Sequence, residues 1–239
     1  MKDVKVRKYK KKNGYSYTFG MFPTLELIKI KPTKVIKILL SDKANKSPYL
    51  EKIIRLCRIN NIKFQFADKQ ISKIAYKENT YAAGVFEKFE TSLDSLANHI
   101  VLDSPSDMGN LGTIVRTMIG FGIKDLAIIK PAADIFDPRV VRSSMGALFQ
   151  INFKYYDSFQ LYKNDFEFHN PYTFMLNGKT ELSKATFNKP FSLVFGNEGQ
   201  GLDPMFANIG KSVYIKHSKG IDSLNLANAV SIALYVSNN

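Results

Sequence analysis

The chain has 239 residues, of which 45% are hydrophobic and 13% aromatic, enough to build one large or two small globular cores. Its 34 Lys and Arg residues outnumber its 21 Asp and Glu residues, so the formal net charge is +13. Such a charge argues against an enzyme of small neutral metabolites and favours a polyanionic partner, nucleic acid above all. A lysine-rich genome is the alternative explanation of the charge taken alone.

The cysteine and histidine content limits the compartment and the metal chemistry. The single cysteine, Cys57, cannot form an intramolecular disulfide, and its apolar helical surroundings predict a core residue in a reducing compartment. His99, His169 and His217 are scattered without cysteine partners or carboxylate clusters, so we predict no metal site. No apolar run reaches the ~18 residues of a membrane helix, and none follows the basic N-terminus as in a signal peptide. We therefore expect a soluble, cytoplasmic protein.

Residues 1–18 are predicted to be a basic N-terminal arm. Lysines and Arg7 alternate there with Tyr9, Tyr15 and Tyr17. Lysines can contact phosphates and tyrosines can stack on bases, so an RNA-binding arm is one interpretation. An ordinary solvated, frayed terminus is the other, and the sequence leaves both open.

Residues 19–90 are predicted to form a small α/β domain. Apolar runs and helical periodicity alternate over this stretch. The predicted elements are a helix around 25–30, a buried strand at 35–40, a helix at 50–59, and strands at 62–66 and 84–86.

After a linker near 90–98, residues 99–239 are predicted to form a mostly parallel sheet with helices between its strands. Strands are predicted at 100–103, 125–129, 151–155, 172–176, 191–195 and 213–215, and helices at 110–121, 138–148 and 224–236. Ligands of such sheets bind outside the carboxyl ends of the strands.

The first segment with chemical potential opens the helix at 110–121. Asn110 is expected at the helix N-cap, where it can cap the helix or bind a substrate. Gly112, Arg116 and Gly120 recur at i, i+4 and i+8, which gives a long cation room to meet a ligand. The plainer interpretation is close helix packing, with Arg116 extending to water.

Two further segments follow later strands. The strand at 191–195 opens into a glycine-rich turn that contains Gly196 and Glu198, and such a turn lets backbone groups approach a ligand or merely connects two elements. Downstream of Ile215, Ser223 and Asn225 stand at a helix start, where they can act as ordinary caps or point into the same crevice.

Taken in order, the segments Asn110-Leu-Gly-Thr-Ile-Val-Arg116, Leu193-Val-Phe-Gly-Asn-Glu-Gly-Gln-Gly-Leu202 and Ser223-Leu-Asn-Leu-Ala-Asn-Ala229 resemble the three motifs of the SpoU-type RNA ribose methyltransferases. Segment 141–147 resembles a further stretch of that family, with a role in packing or RNA contact. The resemblance implies an α/β domain with a parallel sheet tied in a trefoil knot, a homodimer with the site near its interface, and S-adenosylmethionine (AdoMet) as cofactor.

The resemblance also implies roles for single residues. It assigns the site of methyl transfer to Asn110, Arg116, Glu198, Ser223 and Asn225, and backbone contacts with AdoMet to Gly196, Ile215 and Leu224. Family members usually carry Pro-Met after the strand isoleucine, whereas this chain has Lys216-His217. The substitution removes a rigid proline beside the cofactor loop.

The front domain also resembles the substrate-binding domain of many SpoU-type enzymes, which is similar to ribosomal-protein-like RNA binders. This implies methylation of a ribose 2′-hydroxyl in ribosomal RNA, with the large subunit favoured. A tRNA substrate and a non-catalytic RNA-binding protein on the same scaffold are the alternatives. A nucleotide-binding dehydrogenase is remote, because no G-x-G-x-x-G follows the first strand at 100–103.

Overall fold

The computed structural model describes residues 4–238 and divides them into two compact units. In chain order the strands are β1 (Tyr15–Phe19), β2 (Val35–Leu40), β3 (Phe64–Phe66), β4 (Ala82–Glu87), β5 (His99–Asp103), β6 (Asp125–Ile129), β7 (Asn152–Tyr156), β8 (Asn170–Phe174), β9 (Thr180–Glu181), β10 (Phe191–Phe195) and β11 (Lys211–Tyr214). The helices are α1 (Met21–Ile30), α2 (Leu50–Ile59), α3 (Asp68–Ile74), α4 (Met108–Gly120), α5 (Pro138–Ser143), α6 (Phe159–Asp165) and α7 (Leu226–Ser237).

The front unit combines residues 4–89 with Asp134–Gln150. Its four-stranded sheet has the order β1-β4-β2-β3, with only β2 and β3 parallel. Cys57 lies fully buried in the core, as predicted, and burial raises the pKa of its thiol to about 11. The unit is thus a small α/β domain.

The structure differs from the predicted boundaries of the front unit in two places. Residues 15–18, assigned to the arm, belong to β1, because the aromatic side chains recur at every second position and so share one face of a strand, where Tyr17 contacts both Tyr15 and Phe19. Segment 134–150, assigned to the back domain, packs in the front unit, where the Ser16 hydroxyl donates a hydrogen bond to the Phe136 carbonyl at 2.5 Å. A contact between residues 120 positions apart leaves no pattern in the local sequence that could predict it.

The back unit comprises Glu90–Ala133 and residues 151–238. Its seven-stranded sheet has the order β7-β6-β5-β10-β8-β11-β9, and every pairing in it is parallel. Strands β5, β6 and β7 extend the sheet in one direction, and β10, on the other side of β5, begins the other half. The strand order therefore reverses between β5 and β10, the position where open parallel sheets bind ligands.

The back unit follows the predicted alternation closely, with short additions. Helix α6 and strand β9 were not predicted, since seven and two residues carry little periodicity. The predicted helix at 138–148 is shorter, because α5 ends at Ser143 and a separate 3-10 turn covers Ala147–Gln150.

Within residues 4–238, no helix is long and apolar enough to cross a bilayer, and no group of three or more His, Cys, Asp or Glu side chains could hold a metal ion.

A buried polar network lies at the amino end of this sheet. The Nε2–H groups of His99 and His169 donate to the carbonyls of Asp94 and Ser95, at 2.8 and 2.9 Å. The Nδ1 atom of His99 lies 2.9 Å from the Tyr162 hydroxyl, and that of His169 lies 2.9 Å from the Ser192 hydroxyl. Burial, helped by the neighbouring His169, lowers the pKa of His99 to about 4.

This network makes stability depend on pH. Unfolded His99 takes up a proton below about 6.5, but folded His99 does so only near 4, so stability is complete above 6.5 and falls as the pH drops through this window. We expect a loss on the order of 3 kcal/mol between pH 7 and 4 from this residue. Urea unfolding at stepped pH checks it: His99→Gln should flatten the profile, and the control His217→Gln should keep the wild-type slope. An unchanged slope in His99→Gln would contradict the assignment.

Candidate functional site

The candidate site lies where β5 and β10 end side by side. These strands pair in parallel, with Leu102 opposite Phe195, so the loops that follow them leave the sheet at the same edge. The loop after β5, residues 104–107, leads into α4, and the loop after β10, residues 196–201, is the glycine-rich turn. Two segments that are far apart in the sequence are therefore neighbours in space.

The Glu198 carboxylate fastens these two loops together. It accepts hydrogen bonds from the backbone N–H groups of Ser106 and Asp107, both at 3.0 Å, and from the Ser106 hydroxyl at 2.8 Å. Burial by itself raises the pKa of Glu198, but these donors outweigh it and hold the pKa below its ordinary value. The charge also faces the positive end of α4. Glu198 is thus an ionised support of the loop.

Asn197, which is not among the predicted site residues, supports the same turn. Its Oδ1 accepts from the Gly199 N–H at 2.8 Å, and its Nδ2 donates to the Ser104 carbonyl at 2.8 Å. The Gly201 N–H donates to the Asn197 carbonyl at 2.9 Å and closes the turn. An asparagine between glycines is a turn-forming signal that predicts this arrangement.

Asn110 and Asn225 connect the first and third segments. The Asn225 amide donates to the Asn110 side-chain oxygen at 3.0 Å, while its own oxygen caps α7 by accepting from the N–H groups of Ala227 and Asn228. The predicted N-cap position of Asn110 is wrong. Asp107 caps α4, and its carboxylate accepts the Asn110 N–H at 2.6 Å, which leaves the Asn110 side chain available for the contact with α7.

A cavity of about 320 Å³ opens beside the glycine-rich turn. The predicted cofactor residues Gly196, Ile215 and Leu224 all line it, as do Glu198 and Ser223. Phe174 and Phe195, whose rings stack 4.4 Å apart, contribute to its apolar wall. The size and the mixture of apolar side chains with backbone polar groups suit a small organic ligand.

Arg116 lies apart from this cavity. It is exposed on α4, six residues beyond Asn110, and does not line the cavity wall. Six residues of α-helix rotate a side chain by about 240°, so Arg116 and Asn110 face different directions. The structure thus brings together seven of the eight predicted site residues, in the cavity wall or in the Asn110–Asn225 contact, and leaves Arg116 on an outer face.

His217 occupies the position where the sequence departs from the family pattern. It lines the cavity, and its Nδ1 lies 2.9 Å from the Ile215 carbonyl. A carbonyl only accepts, so Nδ1 carries the proton and Nε2 is the other hydrogen-bonding atom of the ring. The local hydrogen bond constrains this loop where a proline would have done so.

The fold and the cavity define a class of protein: an α/β protein with a parallel sheet and a cavity of small-molecule size at the carboxyl ends of β8, β10 and β11. Residues 97–235 match the family model described as the SpoU rRNA Methylase family. The chain belongs to this family.

Curated relatives carry related names. A 23S rRNA (uridine(2479)-2′-O)-methyltransferase of Streptomyces viridochromogenes is 29% identical over 144 residues, 57% of this chain and 50% of that protein. A 23S rRNA (guanosine-2′-O-)-methyltransferase of Acinetobacter baylyi is 24% identical over 92% of this chain and 95% of its own length. An uncharacterized tRNA/rRNA methyltransferase of Synechocystis is 30% identical over 57% of this chain and 51% of its own. The chain thus spans about half the length of two of these relatives.

The fold is also that of a solved structure. The SpoU methyltransferase AviRb of Streptomyces viridochromogenes, in complex with the cofactor AdoMet, superposes with a TM-score of 0.82 at 23% identity. The superposition covers 94% of this chain and 89% of that one. At this identity the likeness establishes an α/β fold with a parallel sheet.

Gly196 is predicted to tolerate no side chain, because the turn itself fills the space around it. A Cβ at Gly196 lies 2.0 Å from the carbonyl carbon of Gly201, so valine collides with the turn itself before it reaches any ligand. We expect Gly196→Val to lower the free energy of unfolding by about 3 kcal/mol or more. At Gly199 the nearest atom to a Cβ is Asn197 Oδ1 at 3.5 Å, so Gly199→Ala is the mild control. Denaturant unfolding compares them, and equal stability would refute the steric argument.

Proposed function

We propose that the protein transfers a methyl group from AdoMet to a ribose 2′-hydroxyl of RNA. One observation carries this proposal: all three motif segments of the family meet at the carboxyl ends of β5 and β10, beside one cavity. The relatives named as 23S rRNA 2′-O-methyltransferases support the same reaction.

The cavity fits AdoMet in its chemistry. Apolar walls from Phe174, Ile215 and Leu224 suit an adenine ring, and the glycine-rich turn presents backbone polar groups at the rim. The ionised Glu198 in the wall complements a cationic sulfonium, although its hydrogen bonds to the α4 start give it mainly a supporting role. Gly196, Ile215 and Leu224 are the proposed cofactor-binding residues, chiefly through their backbones.

Bound AdoMet supplies an electrophilic methyl group on a cationic sulfur. A neutral ribose hydroxyl is a poor nucleophile, so the protein must stabilise the negative charge that develops on its oxygen as the proton passes to water and the methyl group takes its place; S-adenosylhomocysteine would be the other product. We assign this task to Arg116 as a fixed positive charge, because a guanidinium stays protonated. Since Arg116 lies outside the cavity of its own chain, it would act from the second copy of the homodimer proposed below. Asn110, Ser223 and Asn225 orient the reacting groups, with the Asn110–Asn225 hydrogen bond holding two of them together.

The proposed substrate is ribosomal RNA, with the large subunit favoured. Two relatives are named for 23S rRNA. A solved structure titled for 2-OH methylation of C/U34 on tRNA matches 94% of its own chain but only 59% of this one, at 26% identity and a TM-score of 0.55. The additional front unit, which we propose to be an RNA-binding domain, therefore separates this chain from that tRNA-related structure. We also propose a cytoplasmic location, which is compatible with action on ribosomal RNA.

We also propose that the back unit carries the family's trefoil knot and forms a homodimer. Helix α7, which packs against α4, displays Ile232 and Tyr235, which are 38% and 63% exposed. Apolar side chains on such a face suit a second copy of the chain. A partner there would also approach α4, the helix that carries Arg116.

Arg116 should affect chemistry and spare cofactor binding. It lies outside the cavity wall, so Arg116→Ala is expected to abolish methyl transfer while AdoMet affinity in isothermal titration stays within about two-fold. Arg116→Lys is the matched control that keeps the charge, and it should retain partial activity. If Arg116→Ala loses AdoMet binding instead, the residue belongs to the cofactor site.

The dimer should depend on the outer face of α7. Tyr235→Glu places a charge in the proposed apolar contact, so we expect a monomer of half the mass in light scattering at micromolar concentration. Tyr81→Glu, at an exposed tyrosine of the front unit, is the control and should leave the mass unchanged. A dimer that survives Tyr235→Glu places the interface elsewhere.

The reaction and the substrate are tested together by mapping 2′-O-methylation in ribosomal RNA and tRNA from a strain that lacks the gene. Loss of one mark in large-subunit ribosomal RNA, restored by the wild-type gene and not by Arg116→Ala, is the expected result. A mark lost only from tRNA overturns the substrate assignment. Absence of AdoMet binding by the purified chain would contradict the enzyme proposal and favour a non-catalytic RNA-binding protein.

A further inference from the structure

The basic arm is fixed to the front unit along its length. Residues 1–3 lie outside the described part of the chain, and from Val4 onward the side chains separate into two sets. Val4, Val6 and Tyr9 are partly buried, and Val6 and Tyr9 pack against the core cluster that contains Tyr17 and Phe19. The arm therefore contributes to the hydrophobic core, unlike a frayed terminus.

Hydrogen bonds hold the arm at both ends. The Tyr17 hydroxyl donates to the Arg7 carbonyl at 2.5 Å and accepts from the Arg7 N–H at 3.2 Å. At the far end, the Lys88 ammonium donates to the Lys11 carbonyl at 2.8 Å and pairs with Asp134 at 3.1 Å. The Tyr9 hydroxyl donates to the same Asp134 carboxylate.

The outward side chains of the arm are all cationic. Six exposed residues make up this set, which we call the arm ridge: Lys5, Arg7, Lys8, Lys10, Lys11 and Lys12. Among the residues that the structure describes, none of the six side chains forms an ion pair with a carboxylate. Lys5 also shares a surface depression with Lys37 and Lys73. Within the described part of the chain, the six cations of the arm ridge are therefore held close together without an ion-paired carboxylate.

We infer that the arm ridge is a preorganised binding surface for the phosphate backbone of the RNA substrate. The inference rests on the proposed function, which supplies RNA as the partner, and adds the place and the manner of binding. Lysines held on a rigid support gain counterion-release free energy without the ordering cost that a flexible tail incurs on binding. The ridge presents no aromatic side chain outward, so it contacts phosphates and leaves sequence recognition to other surfaces.

Neutralising the ridge tests its contribution to binding. The full-length variant Lys5→Gln/Lys8→Gln/Lys10→Gln should bind transcribed large-subunit ribosomal RNA roughly 10- to 100-fold more weakly at about 0.1 M salt, with the slope of log K against log salt reduced by about 2. The matched control Lys52→Gln/Arg55→Gln/Arg58→Gln removes three cations from the exposed face of α2 and should change affinity less than about three-fold. Equal losses of RNA affinity in both variants would show an effect of net charge alone and would overturn the inference that the arm ridge is the binding surface.

A second variant tests preorganisation without any change of charge. Tyr17→Phe keeps the buried ring and removes the hydroxyl that holds Arg7, so the arm is released. We expect affinity for the same RNA to fall roughly 3- to 10-fold with an unchanged salt slope, because the arm must then be ordered on binding. Wild-type affinity in a folded Tyr17→Phe protein would show that a flexible tail binds equally well and would overturn preorganisation.

AdoMet titration and methyl transfer to the same transcript separate this inference from the proposed function. The ridge variant should bind AdoMet as the wild type does. If the wild-type protein binds RNA more tightly than the ridge variant but transfers no methyl group, the ridge inference is supported and the enzyme proposal is refuted. Methyl transfer with undiminished RNA affinity in the ridge variant refutes the ridge and supports the enzyme. A ridge that binds phosphatidylserine vesicles, with RNA affinity unaffected by the substitutions, identifies a membrane surface instead.

Discussion

The site depends on one carboxylate. Glu198, carried by the turn after β10, accepts three hydrogen bonds from Ser106 and Asp107 at the start of α4. Charge-assisted hydrogen bonds of this kind are stronger than neutral ones, and the helix terminus adds a favourable dipole. Because the turn is rich in glycine, it has little intrinsic preference for one conformation. The anchored carboxylate and the Asn197 side chain supply the order that the glycines lack.

Within the motifs, some side chains hold the site together and other groups form the wall of the cavity. Side chains of Asn197, Glu198 and Asn225 are largely occupied in holding segments together, while the cavity beside them is bounded by apolar groups and by backbone. A site built this way keeps its shape before any ligand arrives, which is the preorganisation that binding and catalysis require. The residues that look most catalytic in the sequence are therefore partly the scaffold of the site.

The net charge of the chain has a structural explanation in the front unit. The arm combines partly buried Val and Tyr side chains with exposed Lys and Arg side chains, so one short segment serves both the core and the surface. Packing of Val6 and Tyr9 fixes the backbone, and the fixed backbone sets the positions of the charges. Composition alone leaves a genome-wide lysine bias as an explanation, whereas an ordered ridge is a specific feature of this protein.

Local sequence determined the elements, and tertiary structure decided how they meet. Buried strands such as β5, β6 and β10 were predicted almost to the residue, because continuous apolar runs between turn residues have few alternatives. The ordered motifs indicated the family and seven residues that surround one site. Sequence could not show that Asp107 caps α4, that Glu198 binds the start of that helix, or that residues 134–150 pack in the front unit. The second and third of these contacts join positions some 90 to 120 residues apart, and only the folded chain brings such partners together. The cap of α4 is one of several nearby polar residues, and the local sequence does not select among them.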